Sequence, residues 1–172
     1  RTTGGRRAMA MLEQLAGLSP GAPAQLRPGK TIGEGGMGII RLAEQTALGR
    51  TVAVKTLKAD RGDDAAALDL LREAWVTGAL EHPNIVPVHH VGLDDDGRPL
   101  IVLKRIEGVV WHDILEDAEL VAARFGATDL LAWNLGILLQ VLNAVRFAHS
   151  RGIIHRDLKP ANVMIGEFGE VY

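Results

Sequence analysis

Apolar and polar positions alternate in short runs through the middle of the chain. Thr31-Ile32, Ile39-Ile40-Arg41-Leu42-Ala43 and Thr51-Val52-Ala53-Val54-Lys55-Thr56-Leu57 carry the two-residue period of half-buried strands. Glycines part the first two runs and Ala47-Leu48-Gly49-Arg50 supplies a turn before the third, so the pattern predicts an antiparallel meander. The period then changes. From Asp64 to Leu80 the apolar residues Leu68, Leu71, Trp75 and Ala79 recur at helical spacing, with Asp63 or Asp64 as N-cap, and His82-Pro83-Asn84 ends the helix. Leu70, Leu71 and Trp75 are expected to face the sheet. Two more strands, 85–91 and 100–106, flank Asp94-Asp95-Asp96-Gly97, whose composition is that of a hairpin turn. A calcium loop would alternate its ligands with spacers and end in a distant Glu, which this run does not do.

Beyond Glu107-Gly108 the pattern becomes helical. A short unit is predicted over 111–120 and a long one from Thr128 or Asp129 to about Ser150, with Leu131, Leu135, Leu138, Leu142 and Val145 at helical spacing. Gly152 suits the left-handed position that closes such a helix. The predicted class is therefore α+β: a five-stranded antiparallel sheet with one helix, followed by the start of a helical half. No internal repeat or low-complexity tract interrupts this order.

Composition narrows the function. The 172 residues are enough for one ordinary domain or a piece of a larger one, and 47% hydrophobic with 23% charged residues excludes disorder and a coiled coil. A net charge of −2 gives no general field for nucleic acid or anionic membrane, so phosphate recognition would need a local site. The absence of cysteine removes disulfides, thiolate nucleophiles and cysteine-ligated zinc, and fits a cytoplasmic setting. The longest apolar run, 135–145, is broken by Gln140 and Asn143 and falls short of the ~20 residues that span a bilayer, so no membrane segment is expected. The chain opens on Arg1 and stops at Val171-Tyr172 inside an apparent strand, which suggests a fragment. Residues 1–28 read as a flexible linker with one weak helix around Ala8 to Leu18. Glu13 and Gln14 within that patch argue against a signal peptide.

The stretch Gly33-Glu34-Gly35-Gly36-Met37-Gly38 fits GxGxxG, where missing side chains let backbone N–H groups approach phosphate oxygens. A dinucleotide-binding turn would open directly into a helix. Here a strand follows, and the next strand carries Val52-Ala53-Val54-Lys55. With Ile153-Ile154-His155-Arg156-Asp157-Leu158-Lys159-Pro160-Ala161-Asn162-Val163-Met164 further on, the chain resembles the Ser/Thr protein kinases, from about Lys30 to Tyr172. The Gly-Gly-Met-Gly and Lys-Pro-Ala-Asn strings look most like the eukaryotic-type kinases of bacteria.

That resemblance implies a five-stranded N-lobe over 29–106 and a partial C-lobe over 107–172. It also implies that ATP, Mg2+ and a protein substrate bearing Ser or Thr are the partners. Ile32, Gly33, Glu34, Gly35, Gly36, Met37 and Gly38 would cover the nucleotide. Ile40, Ala53 and Met164 would enclose adenine, with Leu103, Lys104, Arg105 and Ile106 as gatekeeper and hinge. Lys55 would hold the α- and β-phosphates and Glu73 would hold Lys55. In the catalytic loop Asp157 would be the base, Lys159 would steady the transferring phosphate and Asn162 would ligate magnesium, while His155 and His82 would be structural. Arg156 matches the arginine that pairs with a phosphorylated activation segment. Glu167-Phe168-Gly169 lies too close behind Asn162 to be the magnesium-binding Asp-Phe-Gly and is expected to be a turn between two short strands. The chain alone is expected to be inactive, and a non-catalytic kinase-like regulatory module stands as the alternative.

Overall fold

The structure, a computed structural model, describes residues 26–35, 38–58, 64–94 and 96–172. The stretch around Ala8 to Leu18, and Gly36, Met37, Asp63 and Asp95, lie outside the described residues. The chain divides into two compact units, one comprising residues up to Leu71 with His89–Leu103, the other Arg72–Val88 with Lys104–Tyr172.

The first unit is built on a sheet. Strands β1 (Leu26–Glu34), β2 (Gly38–Gln45) and β3 (Arg50–Leu57) form the predicted meander, and β4 (Val88–Leu93) and β5 (Pro99–Lys104) complete an antiparallel sheet in the order β1-β2-β3-β5-β4. β1 starts at Leu26, earlier than alternation alone indicated, because Leu26 packs against the small core of Ala43, Val52, Val54, Leu100 and Val102. β4 begins three residues later than the predicted 85–91 start. Residues 85–87 instead belong to the connection, where the Pro87 carbonyl accepts from the Lys104 amide. In the turn between β4 and β5, Asp94 accepts from the amides of Asp96 and Arg98 and from the Arg98 guanidinium, which also reaches Asp96. Burial raises the Asp94 pKa, but these bonds outweigh it and hold the carboxyl below its usual value. Those contacts describe a hairpin closed by an arginine.

Helix α1 (Asp64–Gly78) corrects the expected orientation. Its buried residues are Leu70 and Ala74, whereas Leu71 is exposed and Trp75 is 82% exposed. The apolar run holds two candidate stripes, and the one carrying Leu70 and Ala74 takes the inner position. Asp64 lies in the first turn of the helix.

In the second unit, β6 (Gly108–Val110) pairs antiparallel with β7 (Met164–Gly166), and the predicted 111–120 unit is two helices, α2 (Trp111–Ile114) and α3 (Ala118–Phe125). The break falls where the Asp117 side chain caps α3 by accepting from the Leu120 amide. Helix α4 (Leu130–Ser150) is opened by Asp129, whose side chain accepts from the Ala132 amide, and closed by Gly152 at φ +73°. Trp111, Ile114, Val121, Ile137, Val141, Val163, Ile165 and Val171 make the core here. Burying each such side chain contributes roughly 1.5–3 kcal/mol. Among the described residues α4, with 21 residues and an 18-residue window of mean hydropathy 1.4, is long and apolar enough to cross a membrane by length and composition. Its Ile137 and Val141 lie in this core, while Leu131, Leu135, Leu138, Leu139 and Leu142 face outward.

Candidate active site

The catalytic loop is mounted from both sides. Upstream, the Ala148 carbonyl at the end of α4 accepts from the amides of Arg151 and Ile153. Downstream, Val163 and Ile165 are buried, and the Trp111 amide donates to the Val163 carbonyl. Trp111 is itself fixed, since its Nε1 donates to Asn134 and the Asn134 amide donates to the Leu115 carbonyl. Between these anchors the loop exposes its polar side chains. The sequence pattern flagged the loop and missed its mount, because a tryptophan–asparagine pair two helices away leaves no local signal.

Within the loop three side chains converge. Lys159 Nζ lies 2.9 Å from Asp157 Oδ2, and Asn162 Nδ2 donates to the same oxygen at 3.0 Å and to the Asp157 carbonyl at 2.7 Å. The turn Pro160–Asn162 is a single 3-10 turn that brings Asn162 back under Asp157, with the fixed φ of Pro160 at its start. The Lys159 bond, then the Asn162 bond, hold the Asp157 pKa below its usual value. Asp157 is therefore ionised at neutral pH. His155 Nδ1 accepts from the Asp157 amide, so the ring supports the loop from its backbone. Arg156 sits at φ +67°, the sole non-glycine residue with positive φ among those described. Such a conformation costs about 1–2 kcal/mol and persists where neighbouring bonds fix it.

The donor set suits a hard cation. Asn162 commits its amide nitrogen to Asp157, which leaves its Oδ1 as a neutral oxygen ligand beside a carboxylate. Among the described residues no three His, Cys, Asp or Glu side chains cluster as a metal site. Asn162 is the residue of this loop whose side-chain oxygen would ligate such a cation, while the Asp157 carboxylate is engaged by Lys159 and Asn162.

In the first unit the glycine stretch 33–38 includes the end of β1 and the start of β2. The Gly35 amide donates to the Gly38 carbonyl, and Gly33 and Glu34 pair with Ile40 and Ile39. A Cβ at Gly38 would stand 2.6 Å from the Thr56 carbonyl oxygen, so β2 lies directly on the β3 backbone there. One at Gly35 would meet nothing within 4 Å. Ile40 pairs with Lys55 and Leu42 with Ala53, which places these predicted nucleotide residues on adjacent strands. Lys55 and Leu103 are half-buried and Ile32 is exposed.

The remaining predicted residues fall in the second unit. Glu73 is exposed in the middle of α1. The Lys104 ammonium sits 4.3 Å from the centre of the Tyr172 ring and hydrogen-bonds its hydroxyl, so this side chain is engaged with Tyr172 and leaves the backbone for any adenine contact. Arg105 pairs with Glu107 at 2.5 Å. Ile106 and Met164 are half-buried. Glu167-Phe168-Gly169 forms the expected turn: the Gly166 amide donates to the Glu170 carbonyl, Gly169 adopts φ +83°, and Met164 and Tyr172 exchange backbone bonds. A cavity of about 180 Å³ between residues 104–107 and this turn excludes Asp157, Lys159 and Asn162, so concavity alone would have missed the chemistry. His82 accepts from the Asn84 amide and stacks near Phe147, a structural role. The Asn84 side chain donates to Gln140 and to the Val171 carbonyl, tying the segment after α1 to α4 and to the strand following the turn.

Comparison with known proteins agrees with this geometry. Residues 26–171 match the protein kinase domain family, and the chain belongs to it. It is 38% identical over 152 residues to a probable serine/threonine-protein kinase PknB of Bifidobacterium longum, covering 83% of this chain and 21% of that protein. It is likewise 38% identical over 143 residues to the serine/threonine-protein kinase PknB of Mycolicibacterium smegmatis, covering 81% of this chain and 22% of the relative. The crystal structure of the Mycobacterium tuberculosis PknI kinase domain superposes with a TM-score of 0.64 at 28% identity, over 86% of this chain and 56% of that one. The chain thus spans about a fifth of the length of its curated relatives and somewhat over half of a solved kinase domain.

Proposed function

We propose that the protein carrying this chain is an ATP-dependent protein serine/threonine kinase, in which residues 33–38 and Lys55 recognise the nucleotide and the loop 155–164 performs the transfer. The cluster of Asp157, Lys159 and Asn162 carries this reading. A Ser or Thr hydroxyl donates to Asp157, its oxygen attacks the γ-phosphorus, the bond to ADP breaks, and the hydroxyl proton passes to the Asp157 carboxylate. The lowered pKa of Asp157 suits orientation of the hydroxyl with late proton transfer, which is what a loose transition state requires. Lys159, now paired to Asp157, has the reach to share its charge with the transferring phosphoryl group. Magnesium, when bound, neutralises charge on the phosphate oxygens. Lys55 supplies a compact cation for the α- and β-phosphates.

The test is transfer of label from γ-labelled ATP to a protein acceptor by the intact protein, followed by analysis of the labelled amino acid. Phosphoserine or phosphothreonine that disappears in Asp157→Ala is the expected result. Nucleotide binding without transfer would favour the non-catalytic module.

A further inference from the structure

Glu34 is the only charged residue in the stretch 33–38, a strange occupant for a loop proposed to cover a triphosphate. Its carboxylate would repel the phosphates unless it were neutralised or held away. The structure supplies both. Glu34 Oε1 lies 2.7 Å from Lys58 Nζ, with the Lys58 side chain 26% and the Glu34 side chain 61% exposed, so the pair is held at the protein surface with its cation partly covered.

The register fixes the side on which this happens. Glu34 pairs with Ile39 and Ile39 with Thr56, so these three share a face of the sheet. Along β3, alternation puts Thr56 and Lys55 on opposite faces, and Lys58 follows directly on the last strand residue, Leu57. The carboxylate is therefore held on the side of the sheet away from the phosphate-directed lysine.

We infer that Lys58 is a positioning residue, which holds Glu34 across β2 and so sets the height and charge of the β1 end over the nucleotide. The nucleotide part of this inference rests on the proposed function. The positional part does not, and the Gly35 amide, which donates to Gly38 at 2.9 Å, reports it directly.

The experiment is hydrogen exchange of the Gly35 amide in the intact protein without nucleotide, with thermal melting as a check on the fold. Lys58→Met and Glu34→Gln are expected to exchange roughly two- to fivefold faster than wild type, the range of an exposed to half-buried ion pair. The double reversal Glu34→Lys with Lys58→Glu should return to the wild-type rate. Unchanged exchange in both single variants, or a double variant as fast as the singles, would overturn the inference. With Mg-ATP, Lys58→Met should raise KM for ATP at unchanged kcat. Absence of transfer in the wild type would count against the kinase reading and leave the exchange result standing.

Discussion

In the proposed function the loop 155–164 and the β1–β2 region meet the same demand, handling phosphate charge, with opposite means. In the loop, side chains bond one another: Lys159 and Asn162 both reach Asp157 Oδ2, and the backbone around them is strained at Arg156. Between β1 and β2 the sequence is mostly glycine, and position comes from strand register, the close approach of Gly38 to Thr56 and one ion pair. A site made of side chains fails when its chemistry is removed. A site made of backbone fails when volume is added, and the two failures are separable by experiment.

After loss of the Asp157 carboxylate itself, the largest effect is expected from removing the cation proposed for the phosphates. Lys55→Met should lower phosphoryl transfer by about 10²–10³-fold, a loss comparable to deleting one preorganised charge contact. Steady-state kinetics of the intact protein check this, and near-wild-type transfer would remove Lys55 from the site.

Adding volume comes next. A Cβ at Gly108 would collide with the Ile165 carbonyl and the Gly166 Cα, in the β6–β7 pair that adjoins the loop. Gly108→Ala should cost about 1–3 kcal/mol of stability, the usual scale of overpacking, read from a denaturant midpoint. Gly38→Ala should behave similarly because of the Thr56 carbonyl, while Gly35→Ala, with open space around it, should leave the midpoint unchanged and raise KM for ATP. Equal stability losses at Gly35 and Gly38 would contradict the division between backbone packing and phosphate approach.

A smaller effect is a titration. Asp157 has a lowered folded-state pKa, so its interactions are present above the unfolded value near 3.8 and vanish as pH falls through the still lower folded value. At pH 5 to 8 the Asp157 carboxyl should be ionised. Lys159→Met should move the Asp157 carboxyl upward toward 3.8, and Asn162→Ala should do so by less, as carboxyl chemical shifts would show. Smallest of all, Trp75→Gln should change stability by less than about 0.5 kcal/mol, since the ring is 82% exposed. A large loss on melting would restore Trp75 to the interior.

Trp75 also shows where the sequence was illegible. Both Leu68-Leu71-Trp75 and Leu70-Ala74 satisfy a helical period, and only tertiary contact decides between them. The α4 boundaries were readable because Asp129 and Gly152 are cap residues whose chemistry is local. The catalytic string and the turn at Glu167-Phe168-Gly169 were readable for the same reason, each being set by residues adjacent in the chain. The Trp111–Asn134 mount, the Asn84 bonds to Gln140 and Val171, and the Glu34–Lys58 pair were hidden, because each joins segments that only the fold brings together.

The central claim rests on the Asp157 carboxylate. Asp157→Asn keeps the size of the side chain and removes its charge and basicity, so a single-turnover measurement of transfer from ATP to serine or threonine in the intact protein isolates the chemistry. The account predicts a fall of about 10²–10⁴-fold with an unchanged melting temperature. Transfer at the wild-type rate in a folded Asp157→Asn protein would contradict it.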